Sequence, residues 1–262
     1  MPSTEGMALD EIVAHLDTLL STATTPDYPP ALNGLQVANR GRVHGVAVAV
    51  DASLRTIEAT IEAGADLLIV HHGLFWGGSQ PIVGAQYARL RRLLDHDVAV
   101  YSTHLPLDAH PVLGNNVRLA AELGLEVAAP FGAWKGIHIG VQGETRVATA
   151  ELVARADAFA RRHGGTAIAT ASEPGRMTER WAIITGGGVN PDSLREARAA
   201  GIDTFIAGEG PHWSAVDAPE QGLVLIYAGH YATETLGVQA LGAHLAAEFG
   251  LPWTFIEAPT GL

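Results

Sequence analysis

The chain has 262 residues, of which 47% are hydrophobic and none is cysteine. This length can supply the core of one large domain or of two smaller lobes, and the composition excludes disulfides and thiolate metal ligands. The net charge of −12 at pH 7 opposes nucleic-acid binding, because the average field repels a polyanion. No apolar run reaches the roughly 18–20 residues that span a bilayer, and the acidic start does not resemble a signal peptide. We therefore expect a cytoplasmic protein without a membrane partner.

Helical and strand patterns alternate along the first half of the chain. The predicted helices are residues 8–21, 53–64, 85–97 and 115–125, and the predicted strands are residues 43–50, 65–70 and 98–103. Ser53 is suited to the N-cap of the second helix, and Gly64 is suited to end that helix. Because the strands are apolar throughout and alternate with helices, the pattern predicts a parallel sheet that is covered on both faces.

The second half of the chain has a similar order of elements. The predicted strands are residues 137–143, 181–188 and 223–230, the predicted helices are residues 148–162, 191–201 and 233–250, and residues 202–210 run from a strand into a turn. Residues 47–73 and 182–210 share the order strand, Ser-Leu-Arg, helix, Ala-Gly-x-Asp and turn. This echo indicates either two related lobes or only the general likeness of strand–helix–strand units.

The segment LLIVHHGLFWGG, residues 67–78, ends an apolar strand on two adjacent imidazoles. Parallel sheets bind ligands at the carboxyl ends of their strands, which is where His71 and His72 lie. Neighbouring residues on a regular strand point to opposite faces, so both rings reach one site only if the strand breaks, and Gly73 permits a break. The alternative is a pair of strand-end histidines with ordinary hydrogen-bond partners.

A second polar set follows the third strand, in YSTHLPLDAHPVLGNN at residues 101–116. His104 and Asp108 lie beyond the carboxyl end of that strand. Pro106 and Pro111 are expected to bar a helix and to stiffen the loop. A rigid loop that carries an imidazole and a carboxylate is suited to metal binding when another strand-end histidine pair lies beside it.

The third polar set is in YAGHYATETLG, residues 227–237. His230 ends the predicted strand, and Glu234 follows four residues later. This spacing places both side chains on one helix face if the last helix starts near Tyr231. The alternative for Glu234 is an ordinary acidic residue in the first turn of a helix, where the helix dipole favours it.

Three separate strand ends thus carry nitrogen and oxygen donors. The candidate ligands are His71, His72, His104, Asp108, His230 and Glu234. Imidazole and carboxylate donors without cysteine suit Zn, Fe, Mn, Co or Ni. This many donors exceeds the need of one catalytic zinc ion with an open position, and it suits two divalent ions about 3.5–4 Å apart.

Seven motifs, in their order and spacing, resemble those of a known family. They are NGLQV (33–37), VDASLRTIE (50–58), HHGLFW (71–76), STHLPLD (102–108), GNN (114–116), GEGPHW (208–213) and GHYATETLGVQAL (229–241). The chain resembles the Nif-three-like dinuclear metal proteins, which are also called GTP cyclohydrolase I type two, over nearly its whole length. The resemblance implies a toroidal homohexamer of two-lobed α/β subunits, with mostly parallel sheets and a metal pair between the lobes. The implied metal ligands are His71, His72, Asp108, His230 and Glu234.

Two lobes are expected, together with some weaker candidates for functional residues. Lobe one is expected to consist of residues 1–128 with 222–262 and to carry the metal ligands, and lobe two of residues 129–221. His104, in or beside the metal coordination, and Glu209 are candidates for proton transfer if they stay off the metal. The glycine-rich turn at residues 184–193 either cradles a phosphate or is a plain tight turn.

Two functions from different classes remain open. The first is a metal-dependent hydrolase that acts on a small-molecule nucleotide or phosphoester, and ring opening of a purine nucleotide is the version that the family name implies. The second is a metal-holding regulatory or protein-interaction protein without catalytic activity. An assay of a metal-reconstituted protein against nucleotides separates the two.

Overall fold

The computed structural model describes residues 6–171 and 173–262, which form a mixed α/β protein with helices and several sheets. The elements up to residue 122 are β1 (Met7–Ala8), α1 (Leu9–Leu19), β2 (Gly34–Val37), β3 (Arg42–Val43), β4 (Val46–Asp51), α2 (Leu54–Glu62), β5 (Leu67–His72), α3 (Gly84–Asp95), β6 (Ala99–Ser102), α4 (Leu105–Asp108) and α5 (Asn115–Glu122). The later elements are β7 (Ala129–Trp134), β8 (Ile137–Ala148), α6 (Thr149–Arg162), β9 (Ile168–Ala169), β10 (Met177–Ile184), α7 (Pro191–Ala199), β11 (Thr204–Ala207), α8 (Ser214–Glu220), β12 (Val224–Tyr227), α9 (His230–Phe249) and β13 (Trp253–Phe255). None of the helices in the described ranges is both long and apolar enough to cross a bilayer.

The contacts of the chain divide it into two units. Unit 1 contains the chain up to His110 together with Gly237–Ala258, and unit 2 contains Pro111–Leu236 together with Pro259–Leu262. The boundary between Leu236 and Gly237 falls inside α9, so the first turns of this helix belong to unit 2.

These boundaries differ from the ones expected from the sequence. Helix α5 belongs to unit 2 because Leu119 and Ala120 pack in one core cluster with Trp181 of β10. Strand β12 belongs to unit 2 because it pairs with β11 along its whole length. As a result, His230 and Glu234 lie in unit 2 rather than with the other expected ligands in unit 1.

Unit 1 contains a five-stranded sheet in the order β13-β4-β5-β6-β2. The first four strands are parallel and β2 pairs antiparallel with β6 at the edge, which agrees with the expectation of a mostly parallel sheet. Residues of β4, β5 and β6 are fully buried because helices cover the sheet, as apolar parallel strands require. Burial on both faces fixes the register that brings the ends of β5 and β6 side by side.

Helix α2 starts and ends where the sequence predicts. Ser53 accepts a hydrogen bond from the backbone N–H of Thr56, and Thr56 Oγ1 accepts one from the backbone N–H of Ser53, so the two residues form a capping box. Gly64 follows the helix with a φ of +69°, a conformation that glycine adopts without strain. This helix joins β4 to β5 and thereby sets the position of His71 and His72.

The sheet of unit 2 is mixed, so the expectation of mostly parallel sheets is wrong there. Its order is β7-β8-β10-β11-β12-β9, in which β10, β11 and β12 are parallel to one another and the remaining pairs are antiparallel. The hairpin of β7 and β8 accounts for most of the difference. Its turn uses Lys135 and Gly136, both with positive φ, as two-residue hairpin turns require.

The two segments with similar sequence patterns, residues 47–73 and 182–210, have the same order of strand, helix and strand. The parallel pairs β4/β5 and β10/β11 each enclose a helix that starts with a capping box, at Ser53 in α2 and at Asn190 in α7. Both helices have nine residues. Counted from these N-caps, His72 takes the same position as Glu209, as the sequence echo predicts.

Candidate metal centre

Three imidazoles of unit 1 come together at the carboxyl end of β5 and at the start of α4. The rings are those of His71, His72 and His104, and each offers a nitrogen that lies within 4.8 Å of the other two. The ring centroids of His71 and His72 are 4.9 Å apart, as are those of His71 and His104. His104 is far from His71 and His72 in the sequence, and the parallel pairing of β5 with β6 brings it close to them.

His71 is oriented by the neighbouring strand. Its Nδ1–H donates to the carbonyl oxygen of Thr103 at 2.9 Å, because the pairing of β5 and β6 continues as far as Thr103. A carbonyl can only accept, so this contact fixes the proton on Nδ1. The Nε2 atom of the buried ring then lies 3.5 Å from Oδ2 of Asp108, whose side chain is also buried.

Asp108 belongs to a short helix rather than to a stiff loop, so the expectation that the prolines bar a helix here is wrong. Pro106 lies in the first turn of α4, where no backbone N–H is needed for a helical hydrogen bond. The backbone N–H of Asp108 donates to the carbonyl oxygen of His104 at 3.1 Å. This single helical turn places the carboxylate of Asp108 beside Nε2 of His71.

His72 is oriented by a carboxylate of the adjacent strand. Asp51 and His72 are register partners in the parallel pair β4/β5, and Nδ1 of His72 lies 2.9 Å from Oδ1 of Asp51. A histidine that donates its second ring nitrogen to a carboxylate is the usual arrangement behind a metal-ligating imidazole.

The role of Gly73 differs from the predicted one. Strand β5 continues through both histidines, and Gly73 does not have a positive φ. A Cβ atom at this position would collide with the amide of Gln36, whose Oε1 accepts a hydrogen bond from the N–H of Leu74 at 2.8 Å. Gly73 therefore makes room for Gln36, which fixes the chain directly after the two imidazoles.

His104 is held by the buried carboxylate of Asp27, which no sequence pattern indicated. Asp27 accepts hydrogen bonds from Nδ1 of His104 at 2.9 Å, from Nδ2 of Asn33 at 2.7 Å and from the backbone N–H of Leu105 at 2.9 Å. Burial would raise the pKa of Asp27, but the hydrogen bond and charge of His104 and the bond from Asn33 outweigh it and lower the pKa below its usual value. Asp27 is therefore ionised and holds the proton of His104 on Nδ1.

Trp76 packs against the imidazoles. Its ring lies edge-on to those of His104 and His72, with centroid distances of 4.8 and 5.6 Å. The ring of Tyr28 lies 6.2 Å from His104. These aromatic rings restrict the orientations of His104 and keep part of the cluster away from water.

Unit 2 carries a second set of donors at the start of α9. The helix begins at His230, three residues earlier than predicted, and the spacing of four residues brings Nε2 of His230 to 3.3 Å from Oε1 of Glu234. Nδ1 of His230 lies 2.7 Å from Oε1 of Glu209. The carboxylate of Glu209, a candidate for proton transfer, thus positions His230 as Asp51 positions His72.

The two carboxylates change the protonation of His230. Burial alone would lower the pKa of His230, but the hydrogen bonds and charges of Glu234 and Glu209 outweigh it and raise the pKa to about 9. In the metal-free protein at pH 7, the ring therefore carries a proton that a metal ion would have to displace.

The glycine-rich turn before α7 makes room for this second set. Gly186 has a φ of +60°, and a Cβ atom there would collide with the carboxylate of Glu234. The N-terminus of α7 is capped by Asn190, whose side chain accepts from the N–H groups of Asp192 and Ser193. These features favour a tight turn that accommodates Glu234 over a phosphate cradle at the helix terminus.

The donors fit divalent transition-metal ions. Each imidazole is anchored through Nδ1 by a carboxylate or a carbonyl, and two of them direct Nε2 towards a buried carboxylate at 3.3–3.5 Å. Two ligand atoms at about 2.1 Å from one tetrahedral zinc ion are about 3.4 Å apart. Within each unit, the donor distance thus matches that of two neighbouring ligands on one ion.

Two of the anchoring carboxylates differ in how the sequence could have identified them. Asp51 follows the first apolar strand, so the rule that sites lie at the carboxyl ends of parallel strands could have included it. Asp27 lies in a segment with no regular element, just before a short 3₁₀ helix at Pro29–Ala31. Its contact with His104 is between residues distant in the sequence, and no local pattern reveals it.

Comparisons with known proteins identify the family. The model of the family Duf34/NIF3 (NGG1p interacting factor 3) matches residues 7–260. A protein of Deinococcus radiodurans named GTP cyclohydrolase 1 type 2 homolog is 42% identical over 253 residues, which cover 97% of this chain and 94% of that protein.

Solved structures agree over the whole fold. The structure of protein ybgI, described as of unknown function, has a TM-score of 0.87 and 36% identity, and the match covers 98% of this chain and 100% of that chain. The crystal structure of TTHA1606 from Thermus thermophilus has a TM-score of 0.82 and 38% identity, with coverage of 98% and 100%. Together with the family model, these matches show that the chain belongs to the DUF34/NIF3 family.

Proposed function

We propose that the protein is a hydrolase that uses two divalent metal ions. Its ligands are the side chains of His71, His72 and Asp108 from unit 1 and of His230 and Glu234 from unit 2, and both sets serve one ion pair. The observation that carries the proposal is the pairing of an anchored imidazole with a buried carboxylate in each set. Structural ion pairs do not require an Nδ1 anchor behind every histidine, whereas metal ligands use one.

The number of donors supports a pair of ions. Three imidazoles and two carboxylates would fill the coordination of one ion and leave no open position for a substrate. Shared between two ions, the same donors leave open positions on both, and a carboxylate can bridge them. Glu234 is our choice for the bridge because its buried carboxylate lies against both His230 and the turn at Gly186.

Two divalent ions supply Lewis acidity and an activated water nucleophile at neutral pH. The chain's own residues would orient these ions and move protons. His104 is the candidate for proton transfer, since Asp27 keeps its proton on Nδ1 and thereby leaves Nε2 as the basic nitrogen. Glu209 acts through His230, whose ring it holds in position.

The substrate class that fits best is an anionic nucleotide or phosphoester. The protein has a net charge of −12, so its average field repels anions, and a dication pair would supply the local positive charge that they need. Relatives carry the name GTP cyclohydrolase 1 type 2 homolog, which makes ring opening of GTP the first reaction to test. Non-nucleotide phosphoesters are the second group.

The assembly that we propose is a homohexamer. Its support is the likeness to the DUF34/NIF3 family rather than a feature of the single chain. Analytical ultracentrifugation should give a mass close to six times the 27.4 kDa of one chain. A monomer or dimer at micromolar concentration would contradict this part of the proposal.

The enzymatic assay uses purified protein reconstituted separately with Zn²⁺, Mn²⁺ and Fe²⁺. GTP, other nucleotides and simple phosphoesters are supplied, and product formation by the wild type is compared with that by Asp108→Ala. We expect turnover by the wild type and a loss of at least about 100-fold in the variant, because the variant loses a metal-binding carboxylate.

A second outcome would favour a non-catalytic role. If the wild type binds two ions but converts none of these compounds, and the variant loses only metal, the hydrolase proposal fails. The protein would then be a metal-holding regulatory or interaction protein.

A further inference from the structure

A second histidine contact lies in unit 1, away from the three imidazoles at the end of β5. His15 of α1 and His244 of α9 approach each other with their Nε2 atoms 2.8 Å apart. Their ring centroids are 5.0 Å apart and their planes differ by 18°, so the two nitrogens point towards each other. Both side chains are partly exposed, so an ion can reach them from solvent.

The distance between the two nitrogens suits one metal ion. Two nitrogen donors in neighbouring positions of a square-planar or octahedral ion, each about 2.0 Å from the metal, are about 2.8 Å apart. Without a metal, the same distance is a hydrogen bond in which the two nitrogens share one proton. A cation bound to both nitrogens would lie beside the line that joins them, so each ring would have to turn towards it about its side-chain bonds.

The surroundings of His244 favour its neutral form, which is the form that binds metals. Burial and the charge of His15 lower the pKa of His244, against the opposing effect of Glu248. Neutral imidazole is the metal-binding form, and it predominates at pH 7 when the pKa is lowered.

The arrangement is also held in place. The ring of Phe249 packs edge-on against His15 with centroids 5.1 Å apart. Two imidazoles from different helices, with water in the remaining positions, suit Cu²⁺, Ni²⁺ or Zn²⁺.

We propose that His15 and His244 form a second metal site, which binds one Cu²⁺, Ni²⁺ or Zn²⁺ ion between α1 and α9. The ion links the first helix of the chain to the last one and stabilises unit 1, because it binds only when both helices are in their native positions. This site is independent of the proposed hydrolase function and shares no ligand with the ion pair.

The test counts metal ions in protein whose ion pair has been loaded first. Wild-type protein is given two molar equivalents of Zn²⁺ per chain, which the five donors of the ion pair should bind ahead of a two-donor site. It is then passed through a desalting column and titrated with Ni²⁺ in a calorimeter. We compare it with His15→Gln, His244→Gln and the control His96→Gln, which alters an exposed histidine at the end of α3 that contacts the Arg92 carbonyl oxygen. The wild type and the control should bind one more Ni²⁺ per chain than the other two variants.

A spectroscopic measurement on the wild type tests the site even if a variant does not fold. Cu²⁺ added to the zinc-loaded wild type should give an electron paramagnetic resonance signal with two equivalent nitrogen couplings, and this signal should be absent in His244→Gln. Equal Ni²⁺ counts in all four proteins, or no two-nitrogen signal in the wild type, would overturn the proposal and leave a hydrogen bond with a shared proton. Failure of the ion pair would instead appear as fewer than two Zn²⁺ ions per chain at the loading step.

Discussion

Asp51 and His72 are partners on adjacent parallel strands, and Oδ1 of Asp51 lies 2.9 Å from Nδ1 of His72. The register of β4 and β5 produces this contact, and the same register buries the apolar residues of both strands. A shift by one residue would exchange the side chains of the two buried faces and disturb their close packing, so packing of the core fixes the orientation of the imidazole. If His72 binds a metal ion as we propose, its binding is in this way coupled to the stability of the sheet.

Removal of this anchor should weaken metal binding without removing a proposed ligand. In Asp51→Ala, His72 loses the carboxylate that fixes its tautomer, and we expect metal affinity to fall about 10- to 100-fold. Competition with a chromophoric chelator measures the change. Asp95→Ala, which removes an exposed partner of Arg91, should bind metal like the wild type. Equal affinities of both variants would show that His72 does not need Asp51.

The turn at Gly186 offers a pair of neighbouring substitutions with different expected effects. Gly186→Ala places a methyl group in a left-handed conformation and against the carboxylate of Glu234, so it should reduce both thermal stability and metal affinity. Gly187→Ala is the control, since its nearest neighbour would be Cε1 of His230 at an ordinary 4.0 Å. We expect at least a tenfold loss of affinity for the first variant. The same affinity in both would contradict the assigned role of Gly186.

Asp27 should be needed for turnover but not for binding of the ion pair. Asp27→Asn keeps the size of the side chain and removes the charge that holds the proton of His104 on Nδ1. By analogy with other carboxylate–histidine pairs, kcat should fall by about 100-fold or more, with two ions still bound. Asp97→Asn, at a position whose side chain is 44% exposed, is the matched control. Loss of an ion in Asp27→Asn would instead make His104 a metal ligand.

The raised pKa of His230 predicts how the metal-free protein responds to pH. The folded-state pKa of about 9 lies above the ordinary value of 6.5, so the contribution to stability is complete below pH 6.5 and is lost as the pH rises through 9. The loss should amount to no more than about 3 kcal/mol. Urea unfolding of metal-free protein at pH 6 and pH 9 measures it. Glu234→Gln should reduce this dependence, whereas Glu220→Gln, at an exposed site, should retain it.

The same pKa makes metal binding proton-linked. At pH 7, His230 of the metal-free protein is protonated, so binding of the ions should release about one proton from this residue. Calorimetric titrations in two buffers with different ionisation enthalpies give the number released. Binding without proton release at pH 7 would contradict the assignment of His230 as a ligand.

The parts of the fold that local chemistry determines were predictable from the sequence. The alternation of apolar strands with helices predicted the sheet of unit 1, and Ser53 and Gly64 marked the ends of α2. Strand β7 was not predicted because Ala129–Trp134 contains a proline and a glycine and has no clear alternation. Helix α4 was excluded because Pro106 was treated as an interior residue, although it lies in the first turn.

The site was predictable to the extent that its residues follow strands. The carboxyl-end rule found His71, His72, His104 and His230, because it depends only on where apolar runs end. It did not find Asp27, which reaches His104 from an irregular segment 77 residues away in the sequence. Contacts of this kind depend on tertiary packing, which no local pattern encodes.

The central claim is that the donor sets of both units bind one pair of ions. Anomalous X-ray diffraction from crystals of the zinc-loaded wild type tests it most directly. The account predicts two peaks about 3.5–4 Å apart, with His71, His72, Asp108, His230 and Glu234 each about 2.0–2.2 Å from one of them. A single peak, or two distant peaks each bound by one unit alone, would contradict it.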